Sequence, residues 1–394
     1  LLTSLTLIVI APLALIFLHY RHEVKEGIII AVVALLFAQL STLLNSLYQK
    51  RLAMDRVALV EFVGKGLQLG LIYTVVHFDL GFTALVGVLL ANMFFNALVI
   101  FLWSRPLVQF SLRFDLRFWR TFLKDALPLG AMAFITFLYF KMDTILLSFF
   151  QPASEVGIYN VAYKIMENLI FFPAMLVGLI LPLLSRAYTS DRARFEEIAH
   201  KTAKVFCILV LPIVIGIVFL APDIIRIVSG GGFEASANVL QILAFSLAGI
   251  FFGHYFNMLI LVGNAQKSLM YLLLGVAIAN ITLNLFLIQV FSYRGAAVAS
   301  AVTELLVVIV SATLAWKTLC FFPRPDRLLA ILISAFAMGA TLFFLRSAPF
   351  LVAGGTAVLI YAASLWGFRA ITPEELASVF SSRSSEEGTS PTLG

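Results

Sequence analysis

Charge is what this chain lacks most. Asp, Glu, Lys and Arg make up 12% of its 394 residues, about half the share found in ordinary soluble domains. So little charge cannot coat a water-soluble surface of this size, which excludes a soluble globular protein. Cysteine is nearly missing as well. Cys207 and Cys320 are the only two, in no CxxC or His-paired spacing, so neither a disulfide framework nor a metal site is indicated. The sequence contains no HExxH, GxSxG, Walker A or clustered-carboxylate motif, which leaves enzymatic chemistry without a recognisable centre and no cofactor to expect. Gly230, Gly231 and Gly232 are not followed by the GK[ST] of a phosphate loop and read as a turn. With no ATPase motif, any work is expected to draw on an ion gradient, the membrane potential or substrate flux.

What is there is apolar: 61% hydrophobic, with a mean hydropathy of +1.02. A helical span needs roughly 20 apolar residues, and twelve stretches qualify: 1–19, 27–48, 57–78, 80–103, 122–150, 155–185, 200–220, 235–262, 267–290, 295–316, 326–345 and 349–368. The runs are too long for the alternation of a transmembrane barrel. The two longest are expected to tilt, or to break near Pro128, Pro173 and Pro182. Lys and Arg divide 18 to 5 between alternating sets of loops, which puts the basic loops and both termini in the cytoplasm. The net charge of +6 is then largely topology, and nucleic acid drops out as a partner. The expected fold is an all-α polytopic membrane protein, multi-pass in the cytoplasmic membrane.

An internal echo organises the spans. Residues 49–103 align with 263–317 at a constant offset of 214, so that Gly81 falls on Gly295 and Gly70 on Asn284. Each copy is a basic connection, a polar-flecked span, a tight glycine turn and a span rich in small residues. Parallel repeats with a site between them are a transporter signature. The reading is a partial N-terminal lobe of four spans over 1–103, an amphipathic basic linker over 104–121, a C-terminal lobe of six spans over 122–317, an extra hairpin over 318–372 and a polar tail over 373–394 that is expected to be disordered. The chain opens at Leu1 without an initiator Met. The repeat offset expects about two spans ahead of it, completing a second six-span lobe.

Charged and titratable residues inside spans carry the functional reading, because each costs about 2.5–3.5 kcal/mol at a span centre unless it is paired or faces water. Glu61 and Lys65 are spaced i,i+4 and read as an ion pair on one helix face. Lys164 and Glu167 share a face at i,i+3. Lys141 and Asp143 are two apart, roughly 200° around a helix, and cannot face one cavity together. Counting from the outer ends of adjacent antiparallel spans places Asp143 and Lys164 at similar depth, so the two are expected to approach each other with Lys141 nearby. Glu304 has no cation on its own helix and is a candidate proton or cation site. His254 reads as a hydrogen-bonded structural histidine. Asn280 and Asn284 read as bridges between helices.

The stretch FDLRFWRTFLKDALPLGAMAFITFLYFKMDTILLSFFQPASEVGIYNVAYKIMENL, with the later LPLLSR, resembles the start of the C-terminal lobe in oligosaccharide flippases, the polysaccharide branch of the multidrug/oligosaccharidyl-lipid/polysaccharide exporter superfamily. The resemblance implies two six-helix lobes plus a hairpin, with the first two spans absent here. It also implies transport of a polyprenyl-phosphate-linked oligosaccharide from the inner to the outer leaflet by alternating access, with membrane lipid around it, H+ or Na+ coupling, and a monomeric, non-enzymatic protein. On that basis Lys141, Lys164, Tyr163 and Lys65 are substrate-binding candidates. Asp143, Glu167, Glu61 and Glu304 are ion-coupling candidates. A cation-coupled multidrug antiporter would have acidic lumen residues without these lysines, and a membrane-embedded glycan-assembly enzyme would need an outer domain that the short loops do not supply.

Overall fold

A computed structural model describes residues 22–106 except 51–53, then 122, 123, 126, 130 and 137, and 139–370. The expected span at 1–19, nearly all of the 104–121 linker and the tail lie outside the described residues. Every regular element among those described is a helix, and eight helices are long and apolar enough to cross a membrane. The chain is an all-α polytopic membrane protein. It divides into two compact units, Leu1–Arg120 and Thr121–Gly394.

In the first unit α1 (His22–Lys50) and α3 (Gly81–Ser104) run parallel, tied by Thr83 to Glu26 at one end and Ser104 to Tyr48 at the other, and α2 (Met54–His77) runs antiparallel to α3. α3 packs on both neighbours. Leu44 and Tyr48 from α1, Val57 and Val60 from α2 and Ile100 from α3 make its small core. Asn92 on α3 donates to the Gly64 carbonyl on α2 at 2.5 Å. A Cβ at Gly64 would sit 2.5 Å from Asn96 Oδ1, so α2 and α3 meet as closely as they do only because residue 64 has no side chain.

The second unit begins with α4, the helical stretch 139–150. α5 (Ala153–Leu169) and α6 (Phe171–Ser190) follow, so the expected single span at 155–185 is two helices. They meet at Ile170, and Pro173 falls in the first turn of α6, where a missing N–H costs nothing. Pro182 lies inside α6 without ending it. α7 (Arg192–Ser229) is capped by Asp191, whose side chain accepts the Arg194 N–H. At helical rise its 38 residues reach about 57 Å, well past the 200–220 core expected from hydropathy. α8 (Ala235–Val262) is the buried post of the unit and is flanked by α5, α6, α7 and α9. Its hydroxyls and amides reach outward to main-chain carbonyls: Ser236 to Ile158, Gln241 to Val218 and Tyr255 to Ala199. α9 (Gln266–Leu319) comprises two spans folded back on one another. The hairpin α10 (Leu328–Phe344) and α11 (Phe350–Gly367) leans on α7, where Tyr361 donates to the Ile208 carbonyl at 2.9 Å.

The two repeat turns differ in how they are made. In the first copy the glycine itself takes the left-handed conformation, Gly81 at φ +81°. In the second the reversal within α9 falls on Ser292, at φ 52° and ψ −133°, and its buried hydroxyl has no partner. Gly295 is needed for a different reason: a Cβ there would collide with the main chain of Leu287 and Ile288. A serine held in a glycine-type conformation is strained by about 1–3 kcal/mol. Ser292→Gly is therefore expected to raise the thermal midpoint in detergent, and Gly295→Ala to lower it by several degrees, both read from an unfolding curve.

Candidate functional site

The two charged residues of α4 part company, as their spacing requires. Asp143 turns into the unit and is only 4% exposed. Its Oδ1 accepts from Asn284 Nδ2 at 2.6 Å, and its Oδ2 accepts from Tyr159 Oη at 2.9 Å and from the Ser300 hydroxyl. These donors come from α5 and from both halves of α9. Asn284 also reaches back to the Asn280 carbonyl at 3.0 Å, while its own Oδ1 is buried without a partner. A carboxylate buried in an apolar bundle is tolerable only when its oxygens are met in this way.

One turn earlier Tyr139 donates to Glu304 Oε1 at 2.7 Å, and Glu304 is 8% exposed. A cavity of about 30 Å³ touches Asp143, Ser246, Asn280, Ser300 and Glu304, and the Ser246 hydroxyl is buried without a partner. A second cavity of about 190 Å³ shares Tyr139 and Glu304 and adds His254 and Asn257. His254 itself is held at Nδ1 by the Ile250 carbonyl, 2.9 Å away. Gly249 brings α8 against α9 here: a Cβ would lie 2.6 Å from the Glu304 Cβ. Two carboxylates on different helices thus line one small polar interior, with room on the His254 side for several waters.

Lys141 takes the opposite side of α4. Its ammonium lies 4.9 Å over the Tyr163 ring and 2.8 Å from Glu167 Oε1. Lys164 reaches the other oxygen, Oε2, at 2.9 Å. Tyr163 fixes α4 against α5 by donating to the Phe140 carbonyl at 2.6 Å. The expected meeting of Asp143 with Lys164 does not occur: no ion pair or hydrogen bond joins them, because Asp143 is turned inward while Lys164 stays at the surface of the unit. Glu167, grouped with the coupling carboxylates on sequence grounds, sits between the lysines instead.

The remaining candidates belong to the first unit. Glu61 and Lys65 do not pair; Lys65 donates to Gln68 Oε1 at 3.2 Å, and Glu61 is exposed on α2. Of the eight candidates, six therefore gather in the second unit, in two groups back to back on α4. Tyr139, Tyr159, Ser246 and Ser300 complete the acidic group and were not legible in sequence, since hydroxyl residues in apolar helices have no spacing signal that marks them as carboxylate partners.

Known proteins resemble this chain in sequence and in fold. A family model described as "Polysaccharide biosynthesis protein" matches residues 1–238. A Haloferax volcanii protein named as a probable low-salt glycan biosynthesis flippase, Agl15, is 26% identical over 172 residues, 42% of this chain and 36% of that protein. Another from the same organism, the probable flippase AglR, is 26% identical over 210 residues, 52% of this chain and 44% of that protein. The matched segments thus span less than half the length of these relatives. Among solved structures, the lipid II flippase MurJ in an inward closed conformation aligns with a TM-score of 0.78 at 16% identity, covering 94% of this chain and 82% of that one. This last likeness is one of fold.

Removing the Asp143 carboxylate strands the buried Tyr159 and Ser300 hydroxyls, each costing about 1–3 kcal/mol when left unmet, and leaves Asn284 only its Asn280 partner. Asp143→Ala is expected to lower the thermal midpoint sharply, while Asp143→Asn, which keeps one acceptor oxygen, loses less. Equal melting of both variants would show that the hydrogen bonds are not what holds α4 to α9.

Proposed function

We propose that this chain, which belongs to the polysaccharide biosynthesis protein family, flips a polyprenyl-(di)phosphate-linked oligosaccharide from the inner to the outer leaflet of the cytoplasmic membrane by alternating access. The observation that carries the reading is the separation of charge on α4: Lys141 with Lys164 on one side, and Asp143 with Glu304 on the other, with Tyr163 between them, its ring under Lys141 and its side chain on the Asp143 cavity. Lipid-linked sugars carry an anionic phosphate between a greasy tail and a hydrated head. The tail can stay in lipid, and the head can tolerate a polar path. The phosphate is the part that must be met by fixed cations in a medium of low dielectric.

The lysines and Tyr163 suit that task. An ammonium on a flexible stem is a compact point charge that can follow a moving phosphate, and the Tyr163 ring beside it gives the cation an aromatic surface to lie on. The buried carboxylates suit a different one. Asp143 and the unpartnered Oδ1 of Asn284 are acceptor oxygens inside apolar protein. We read this group as the place where H+ or Na+ is taken up, so that its occupancy biases the conformation of the second unit. A buried carboxylate can shift an equilibrium only if its charged and neutralised forms favour different states. Its tie to three helix segments supplies such a difference. The lysines disfavour a cation-coupled drug antiporter, whose cargo they would repel. Flippase relatives point the same way, toward a transporter and not an enzyme.

Two measurements test this. Lys164→Ala is expected to abolish export of surface glycan in cells and Lys164→Arg to retain part of it; normal export with alanine would remove Lys164 from the site. Asp143→Asn is expected to make flipping in proteoliposomes insensitive to an imposed ion gradient. Undiminished gradient dependence would rule out Asp143 as the coupling residue.

A further inference from the structure

Glu167 grips two lysines from two helices, one oxygen to each. Lys141 on α4 lies 2.8 Å from Oε1, and Lys164 on α5 lies 2.9 Å from Oε2. The arrangement is not a staple for the fold. In the water-facing site that this reading requires, exposed ion pairs contribute about 0–1 kcal/mol, and these side chains are 32%, 36% and 73% exposed for Lys141, Glu167 and Lys164. α4 and α5 are already joined by Tyr163 to the Phe140 carbonyl, by Thr144 to Asn160 and by Tyr159 to Asp143, with Leu147 and Tyr159 fully buried. The Glu167 bridge therefore adds little stability. It lies at the surface of the unit, with part of each side chain exposed.

A carboxylate offering one oxygen to each of two ammonium groups makes the contacts that two oxygens of a phosphate would make. Glu167 also neutralises half of the local positive charge. We infer that Glu167 is a built-in stand-in for the cargo's phosphate: it occupies the Lys141–Lys164 seat in the empty protein and is exchanged for a diphosphate on loading. The inference rests on the reading of these lysines as the headgroup site and adds how that site is kept closed to weaker anions. A single-charged anion gains no more from the lysines than Glu167 already does, and Glu167 has no translational freedom to lose. A diphosphate carries more charge over more oxygens and wins the exchange. On discharge the carboxylate returns and competes with rebinding, so discrimination is achieved by an internal competitor as well as by attraction.

The test is binding to the purified full chain in detergent, with farnesyl diphosphate and inorganic pyrophosphate as probes and farnesol as the uncharged control. Glu167→Gln, with Glu167→Ala as a second variant should the first fold poorly, is expected to bind both diphosphates about tenfold tighter than the parent. Glu167→Asp should stay near the parent, and farnesol binding should not change. Diphosphate affinity unchanged or weakened in both Gln and Ala variants would overturn the stand-in, as would a gain confined to farnesyl diphosphate or shared by farnesol, since the lipid tail would then be its source. Lys141→Ala and Lys164→Ala, placed in the Glu167→Gln background, separate the two readings. They are expected to cancel the gain. If they leave it intact, the headgroup site itself is wrong; if they weaken binding while Glu167→Gln had produced no gain, only the stand-in fails.

Discussion

The second unit depends on one constraint: a carboxylate buried in an apolar helix bundle has to find donors. Asp143 finds them on α5 and on both halves of α9, so three stretches of chain far apart in sequence must converge on one point between helices. The small residues nearby follow from that convergence. Gly249 lets α8 close on α9 beside Glu304, and Gly295 lets the two halves of α9 fold back without a side chain in the way. Ser292 bears the conformational strain of the reversal. An apolar residue at 143 would remove the need for Asn284 and Ser300 and leave helices joined by packing alone. Such packing is weak at discriminating one arrangement from another when the surroundings are as apolar as the interface.

Because Asp143 is turned inward, helical geometry sends Lys141 the other way. Two residues of α4 thus separate a buried acidic interior from a half-open basic surface across the width of one helix. The separation has an electrostatic consequence. A phosphate beside Lys141 and Lys164 and a cation beside Asp143 would lie on opposite sides of the same backbone, close enough for each to lower the cost of the other in a poorly screened environment. Any coupling between cargo and ion would then run through the placement of α4, which Tyr163 holds on one side through the Phe140 carbonyl and Asp143 holds on the other. A shift of α4 would change both groups together.

The helices were legible because their signal is coarse. A run of about 20 apolar residues reports itself, and the limits of α8 coincide with hydropathy alone. Where local chemistry decided the outcome, the sequence said less. The break at Ile170 was foreshadowed by Pro173, but proline sits comfortably in a first turn as well as at a kink, so the boundary could not be assigned from it. The glycine of the second turn was visible, whereas the residue that adopts the left-handed conformation was a serine three positions earlier, and no propensity rule selects serine for that role. The candidate site divides the same way. Depth counting along antiparallel spans expected Asp143 and Lys164 at one level, whereas the contacts pair Asp143 with Tyr159, Thr144 with Asn160 and Phe140 with Tyr163, which sets Lys164 about one turn away from Asp143, and level is in any case only one coordinate. The rotation of each helix about its axis is set by partners on other helices, and Asn284 and Ser300 are more than 130 residues away.

Glu167 shows why charge sign alone does not place a residue. By type it belonged with the acidic coupling groups; by contact it belongs to the lysines. Glu167 has an ammonium against each of its oxygens, at 2.8 and 2.9 Å. Asp143 and Glu304 are met by neutral donors: Asn284, Tyr159 and Ser300 for the first, Tyr139 for the second. All three are acidic residues in apolar helices, yet their surroundings differ in kind. The distinction lies wholly in whether a fixed positive charge is within reach, and that is a property of the fold which no single helix carries in its sequence.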